Sequence, residues 1–241
     1  MHRHLVSKFP LNDREFYIVR ARPVVTIDGP SGAGKTTVSK RLAELAGMVR
    51  LDTGSMYRAC ALAASRAGVP WSDDAQMGEL ARAIRFSFNG PDGCPGVFLD
   101  GEDISSVIRT PEMSIGASEV SILLSVREAM VAKQQELGRD GGVVLEGRDT
   151  GTAVFPDAEA KFFLDAAAAV RALRRYKERS SVDSQSYEQV LVEVLRRDVQ
   201  DSTRKHSPLK MAPEARYIDS TTMTVDEVVE IMMKGLPSGG R

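Results

Sequence analysis

The chemistry most legible in the chain lies in Gly29-Pro30-Ser31-Gly32-Ala33-Gly34-Lys35-Thr36. This run satisfies G-x-x-x-x-G-K-[ST], in which glycines let the backbone turn so that successive amides face phosphate oxygens. Lys35 can reach the β- and γ-phosphates of a nucleoside triphosphate, and the Thr36 hydroxyl is suited to ligate Mg2+. A helix starting near Gly34 adds the partial positive charge of its N-terminus, and Thr37 extends the phosphate-binding segment. Kinases, GTPases, ATPases and transporter subunits all share this motif. A guanine-reading Asn-Lys-x-Asp motif is missing: the asparagines are Asn12 and Asn89, and neither begins one.

Transfer of a phosphoryl group onto a second phosphate needs arginines more than it needs a base. The acceptor is already an anion, and negative charge spreads over the equatorial oxygens of the transition state. Arg197, Asp201 and Arg204 fall at i, i+4, i+7, on one face of a helix. They can grip a ribose and a phosphate, or form a surface ion pair worth a few tenths of a kcal/mol. Arg171, Arg174, Arg175 and Arg179 form a second basic face, either a lid closing over the triphosphate or a solvated helix surface. Glu146-Gly147-Arg148-Asp149 follows an apolar run directly. The carboxyl ends of parallel strands face the ligand crevice, so Glu146 can hold Mg2+ or its waters, or belong to an ordinary charged loop. Asp28 and Asp52 share that ambiguity.

These groups need a scaffold. Val24–Ile27 reads as a strand broken by Asp28-Gly29-Pro30, and Val38, Leu42 and Leu45 give the helix that follows. A short strand at Val49–Leu51 leads to a helix through Met56, Cys60 and Ala63. Ile84–Phe88 and Val97–Leu99 read as strands of a small β insertion over 83–110. One helix is expected through Val120, Leu123, Leu124 and Val126 toward Gln135. Strands follow at Val143–Leu145 and Ala160–Leu164, then helices near 167–178, 187–203 and 225–234. Short apolar strands alternating with helices predict an α/β fold, a doubly wound parallel sheet covered on both faces.

Composition narrows the class. The 241 residues are 42% hydrophobic and 27% charged, with a net charge of −1, which counts against indiscriminate nucleic-acid binding. The charge is unevenly spread. Nine Lys or Arg against six Asp or Glu between Arg171 and Lys205 give that stretch +3, leaving −4 for the rest. Cys60 and Cys94 lack zinc or disulfide spacing, the histidines form no metal pattern, and no apolar run is long enough to span a membrane. A cytoplasmic, monomeric protein without membrane or nucleic-acid partners is expected. Residues 1–22 lack the apolar run of a signal peptide and are expected to be a disordered extension, with 237–241 a frayed tail.

Jointly, these motifs resemble the bacterial-type cytidylate kinases, nucleoside-monophosphate kinases of the P-loop superfamily. The resemblance runs from about Pro23 to Lys234. It is carried by Ile27–Lys35, by Leu51-Asp52-Thr53-Gly54-Ser55-Met56-Tyr57-Arg58, and by Gly147-Arg148-Asp149-Thr150-Gly151-Thr152-Ala153-Val154-Phe155-Pro156-Asp157. Ile108–Thr110, Val126–Glu128, Arg197–Asp201 and Asp219–Thr221 agree as well.

The resemblance implies a kinase domain over 23–236, with a monophosphate-binding insertion at 83–118 and a lid at 168–182. It implies ATP and Mg2+, with CMP and dCMP as acceptors. Arg58, Arg148 and Arg204 would hold the acceptor phosphate; Ser118, Arg127 and Asp149 would read cytosine. Thr53 and Tyr57 would line the monophosphate site, Arg197 and Asp201 would bind the sugar, and Lys35, Arg171 and Arg175, together with Arg148 and Arg204, would be the catalytic residues. Thr36, Thr53 and Glu146 stand where many members carry glycine, serine and aspartate. A small-metabolite kinase of the shikimate type and a nucleotide sensor of low turnover are the competing readings.

Overall fold

The computed structural model describes residues 20–89, 95–179 and 185–237. Five parallel strands form the central sheet: β1 (Val24–Asp28), β2 (Val49–Asp52), β6 (Val143–Gly147), β7 (Ala160–Asp165) and β8 (Arg216–Asp219), in the spatial order β2-β6-β1-β7-β8. Every residue of β1 and β6 is buried. That is why both strands read as mainly apolar runs without alternation, interrupted only by the buried Thr26, Asp28 and Glu146: strands covered on both faces need no polar alternation.

Alternate side chains go to opposite faces of the sheet. Val25, Ile27, Val144, Phe162 and Leu164 pack with Val38 and Leu42 of α1 (Lys35–Ala46) and Val228 and Met232 of α8 (Val225–Lys234). Val24, Leu51, Val143 and Leu145 pack on the other face with Val154, Phe155 and Val131. Burying a side chain such as Ile27 or Leu145 contributes roughly 1.5–3 kcal/mol, so alternation along β1 and β6 ties both helical layers to one sheet.

A second core joins α2 (Thr53–Ala67), α3 (Asp74–Ala83), α4 (Pro111–Val120) and α5 (Leu124–Leu137) to a small antiparallel sheet. That sheet has the order β3 (Phe86–Asn89), β4 (Pro95–Leu99), β5 (Glu102–Asp103), and is the expected insertion. The chain closes through an antiparallel-type pair of helices, α6 (Ala168–Arg179) and α7 (Tyr187–Thr203), packed through Ala172, Val190 and Val194.

Four expectations need correction. Ile84 caps α3 in extended conformation and lies outside β3. The single helix expected from Val120 to Gln135 is two: α4 ends at Val120, and Leu123, with φ −73° and ψ 128°, starts α5. Two elements, α3 and β8, have no counterpart among the expected ones. Residues 1–19 and 238–241 lie outside the described residues, but Arg20, assigned to the N-terminal extension, is anchored. Its guanidinium bonds Asp157 at 2.7 Å and Glu159 at 3.0 Å, and lies over the Phe155 ring.

Candidate functional site

The strands deliver their carboxyl ends to one cavity of about 540 Å3. The loop leaving β1 is shaped by three left-handed glycines, Gly29 (φ 152°), Gly32 (φ 79°) and Gly34 (φ 94°). Gly29 admits no side chain, because a Cβ there would lie 1.9 Å from the Leu164 carbonyl oxygen. Ser31 through Val38 line the cavity; Gly29 and Pro30 lie behind. Lys35 folds back so that Nζ donates to the carbonyls of Gly29 (2.7 Å) and Pro30 (2.6 Å). Burial, and then Arg148, push its amine well below the ordinary lysine value, with Glu146 and Asp201 pulling the other way.

Beside this loop, Thr36 donates its hydroxyl to Glu146 Oε2 at 2.9 Å, while Ser39 and Arg50 hold Oε1 at 3.1 and 3.0 Å. Thr37 is exposed on the wall. Burial raises the Glu146 carboxyl, and so does neighbouring Asp52; Arg50 and Lys35 oppose them. A hydroxyl and a carboxylate side by side are hard oxygen donors of the kind Mg2+ takes together with waters and substrate phosphates. The pair therefore fits the cation. No group of three or more His, Cys, Asp or Glu among the described residues forms a metal site by itself.

Across the cavity, arginines and acids alternate. Asp52 caps α2 and accepts from Arg58 at 3.1 Å, and Thr53 donates to the Glu146 carbonyl at 2.7 Å. Arg148 bonds Asp201 at 2.6 Å, and Arg197 lies 4.0 Å from the same oxygen. Burial, and then the charge of Arg148, lower Arg197 to about 10. Asp149 is held from both sides: Arg204 donates to Oδ1 at 3.1 Å and Arg127 to Oδ2. Arg127 also donates to the Tyr57 hydroxyl, whose burial pushes it up to about 12 and keeps it protonated. The turn carrying Arg148 and Asp149 is fixed by Asp28, which accepts from Thr150 N and Gly151 N at 2.8 Å each.

Besides Gly29 and Pro30, three expected site residues lie off the cavity wall. Arg127 is buried behind it, bonded to Asp149 and Tyr57, which do line it. Ser118 is half-buried and does not line the cavity; on α4 that wall is Ser114 and Ala117, followed by Ser121. Arg171, expected on the triphosphate, is buried beneath the loop, where it bonds Ser31 O at 3.1 Å and Asp198 at 2.9 and 2.6 Å. The cause is packing: the α6 backbone and Cβ at Arg171 approach Gly32 closely, so the side chain must run under the loop. Arg174 and Arg175 do face the cavity, Arg174 bonding Ala33 O at 3.2 Å and Arg175 bonding Ser31 Oγ at 2.6 Å. The side chain of Arg179 and residues 180–182 of the expected lid lie outside the described residues.

Met223, Thr224, Val225 and Val228, which line the cavity beside Arg174 and Ser220, carry no expectation of a site role from sequence. The one available signal was the Asp219-Ser220-Thr221 stretch; the apolar members look like core residues of α8.

Comparison with known proteins agrees with this geometry. The cytidylate kinase family model matches residues 25–238. The cytidylate kinase of Citrifermentans bemidjiense is 47% identical over 210 residues, 87% of this chain and 90% of the relative. That of Solibacter usitatus is 48% identical, covering 88% and 91%, and that of Pasteurella multocida 42%, covering 86% and 91%. Among solved structures, a shikimate kinase from Acinetobacter baumannii in complex with shikimate covers 88% of this chain and 92% of its own, at 18% identity and a TM-score of 0.43, a likeness that carries no argument. A phosphate loop facing paired arginines and acids, a family model spanning almost all described residues, and relatives matched nearly end to end converge on one assignment: the chain belongs to the cytidylate kinase family.

Proposed function

We propose that the protein transfers the γ-phosphoryl group of ATP to CMP or dCMP, giving ADP with CDP or dCDP. A phosphate oxygen of the nucleoside monophosphate attacks the γ-phosphorus, and the bond from that phosphorus to the bridging oxygen of ADP breaks. The attacking group is anionic, so no side chain has to remove a proton. The observation that carries the reading is the cavity itself, which joins the glycine loop to Arg58, Arg148, Arg197 and Arg204 within one chain.

Residues 31–37 bind the ATP phosphates, with Gly29 and Pro30 shaping the turn behind them. Lys35 exchanges its carbonyl partners for phosphate oxygens, and Arg175 adds charge on the far side of the loop. Mg2+ held by Thr36 and Glu146 would neutralise charge on the phosphates. Arg58, Arg148 and Arg204 bind the acceptor phosphate, with Asp52, Asp201 and Asp149 offsetting their charge. Tyr57 and Thr53 line that site, and Arg197 with Asp201 binds the sugar. Arg174 and the 220–228 end of the cavity take the adenosine.

Base choice follows from the Arg127–Asp149–Arg204 chain. Cytosine presents an N4 amino donor to Asp149, and N3 and O2 acceptors to Arg127. Uracil reverses the first two and leaves buried groups mispaired, which discriminates strongly. The kinase works as a cytoplasmic monomer on small nucleotides, without nucleic-acid or membrane partners. The described parts of the insertion, β3 to β5 and α4, close over the acceptor, and α6 closes over ATP.

A coupled ADP-release assay over nucleoside monophosphates and small metabolites tests this. Release dependent on CMP and dCMP is expected; release only with a metabolite, or with no acceptor, refutes it.

A further inference from the structure

Arg50 belongs to no phosphate-binding motif and does not line the cavity, yet it touches both halves of the site. On the edge strand β2, Arg50 and Asp52 project to the same face of the sheet. The parallel register sets Asp52 beside Glu146 and Arg50 beside Val144, one step lower. Two acids are thus neighbours, with a guanidinium directly below them. Arg50 Nε donates to Glu146 Oε1 at 3.0 Å, and Nη2 to Asp52 Oδ2 at 3.3 Å. Each carboxylate then meets a residue of the substrate cavity: Glu146 Oε2 accepts from Thr36 at 2.9 Å, and Asp52 Oδ2 from Arg58 at 3.1 Å.

We propose that Arg50 is a positioning residue that bridges the donor-side acid Glu146 and the acceptor-side pair Asp52–Arg58, setting both with one forked side chain. A guanidinium can serve two carboxylates at once in fixed geometry, whereas a lysine ammonium is a point charge on a flexible stem. Without the bridge the neighbouring acids repel each other. Glu146 then turns from Thr36, and Asp52 releases Arg58. The inference rests on the roles given above to Arg58 and Glu146.

Calorimetry on the full-length protein tests it without turnover. CMP is titrated alone, and ADP with and without Mg2+. In R50M, CMP binding is expected to weaken about tenfold, the size of one lost charge-assisted hydrogen bond. The gain in ADP affinity conferred by Mg2+ is expected to shrink by a similar factor, with affinity for ADP alone within about twofold of the parent. A parent that binds no CMP, or whose ADP affinity ignores Mg2+, refutes the assignments beneath the proposal. A responsive parent matched by R50M, or an R50M protein altered in only one of the two readouts, overturns the bridge. If R50M does not fold, R50K takes its place. It keeps the charge but cannot bond both acids, so at least one readout is expected to fall, and parent-like behaviour in both overturns the proposal.

Discussion

Arg148 donates through Nε to Asp201 at 2.6 Å, fastening the turn after β6 to the last turn of α7 across 53 residues of chain. Burial alone would raise the Asp201 carboxyl, but the charges of Arg148 and Arg197 outweigh it and hold it below the ordinary value of 3.8. A carboxyl depressed by folding stabilises the protein above its unfolded pKa, and that stabilisation is lost as pH falls through the folded value. Asp201→Asn is therefore expected to cost about 1–3 kcal/mol at pH 7, with the gap from the parent closing below pH 3.8. Urea unfolding at both pH values measures this; a gap that widens in acid would contradict it.

That joint also marks how far sequence takes the reader. The phosphate loop is contiguous, so spacing alone exposes Lys35 and Thr36. Arg148 and Asp201 are brought together only by tertiary structure, and helical spacing left Asp201 open between a ligand grip and an ion pair. Val120, Leu123 and Leu124 mimic i, i+3, i+4 across the real break at Ser121–Leu123, because both helices bury residues on the same core. In β8 only Ile218 is buried, so Arg-Tyr-Ile-Asp offers no alternation to detect. The even spacing of the basic face on α6 does not show that Arg171 is buried against Ser31 O and Asp198 while Arg175 reaches the cavity at Ser31 Oγ.

Asp149 accepts from Arg204 and Arg127 on separate oxygens, so its geometry is set before any base arrives. Asp149→Ala removes the acceptor for the cytosine amino group and leaves two arginines mispaired. CMP turnover is expected to fall about a hundredfold or more in kcat/KM, with ATP binding changed by less than about threefold. The CMP-to-UMP preference should collapse with it. Steady-state kinetics on both nucleotides decide; equal losses toward CMP and ATP would remove the base-reading role.

Thr36 meets Glu146 through its hydroxyl alone. Thr36→Ser keeps that oxygen and is expected to retain kcat within about threefold, whereas Thr36→Val keeps the shape and loses the oxygen. For Val the expected loss in kcat is about tenfold to a hundredfold, the worth of one charge-assisted contact. Equal kinetics for the two variants would show that the hydroxyl contributes nothing to phosphoryl transfer.

Arg171 and Arg175 lie four residues apart on α6, yet their substitution should be felt in different measurements. Arg171 is 5% exposed and makes a forked pair with Asp198. Arg171→Met leaves that acid and the Ser31 carbonyl without their donor, a loss of about 2–4 kcal/mol, trimmed because Asp198 keeps some solvent. In a chain of this size that corresponds to a Tm lower by about 5–12 °C. Arg175 reaches the cavity at Ser31 Oγ. Arg175→Met should cost little Tm but lower kcat at least about a hundredfold, as removal of an arginine from a transferring phosphoryl group does. Thermal melts and kinetics on the two variants separate the roles: if Arg171→Met instead spares Tm and abolishes turnover, the arginine beneath the loop is the one that meets the phosphates.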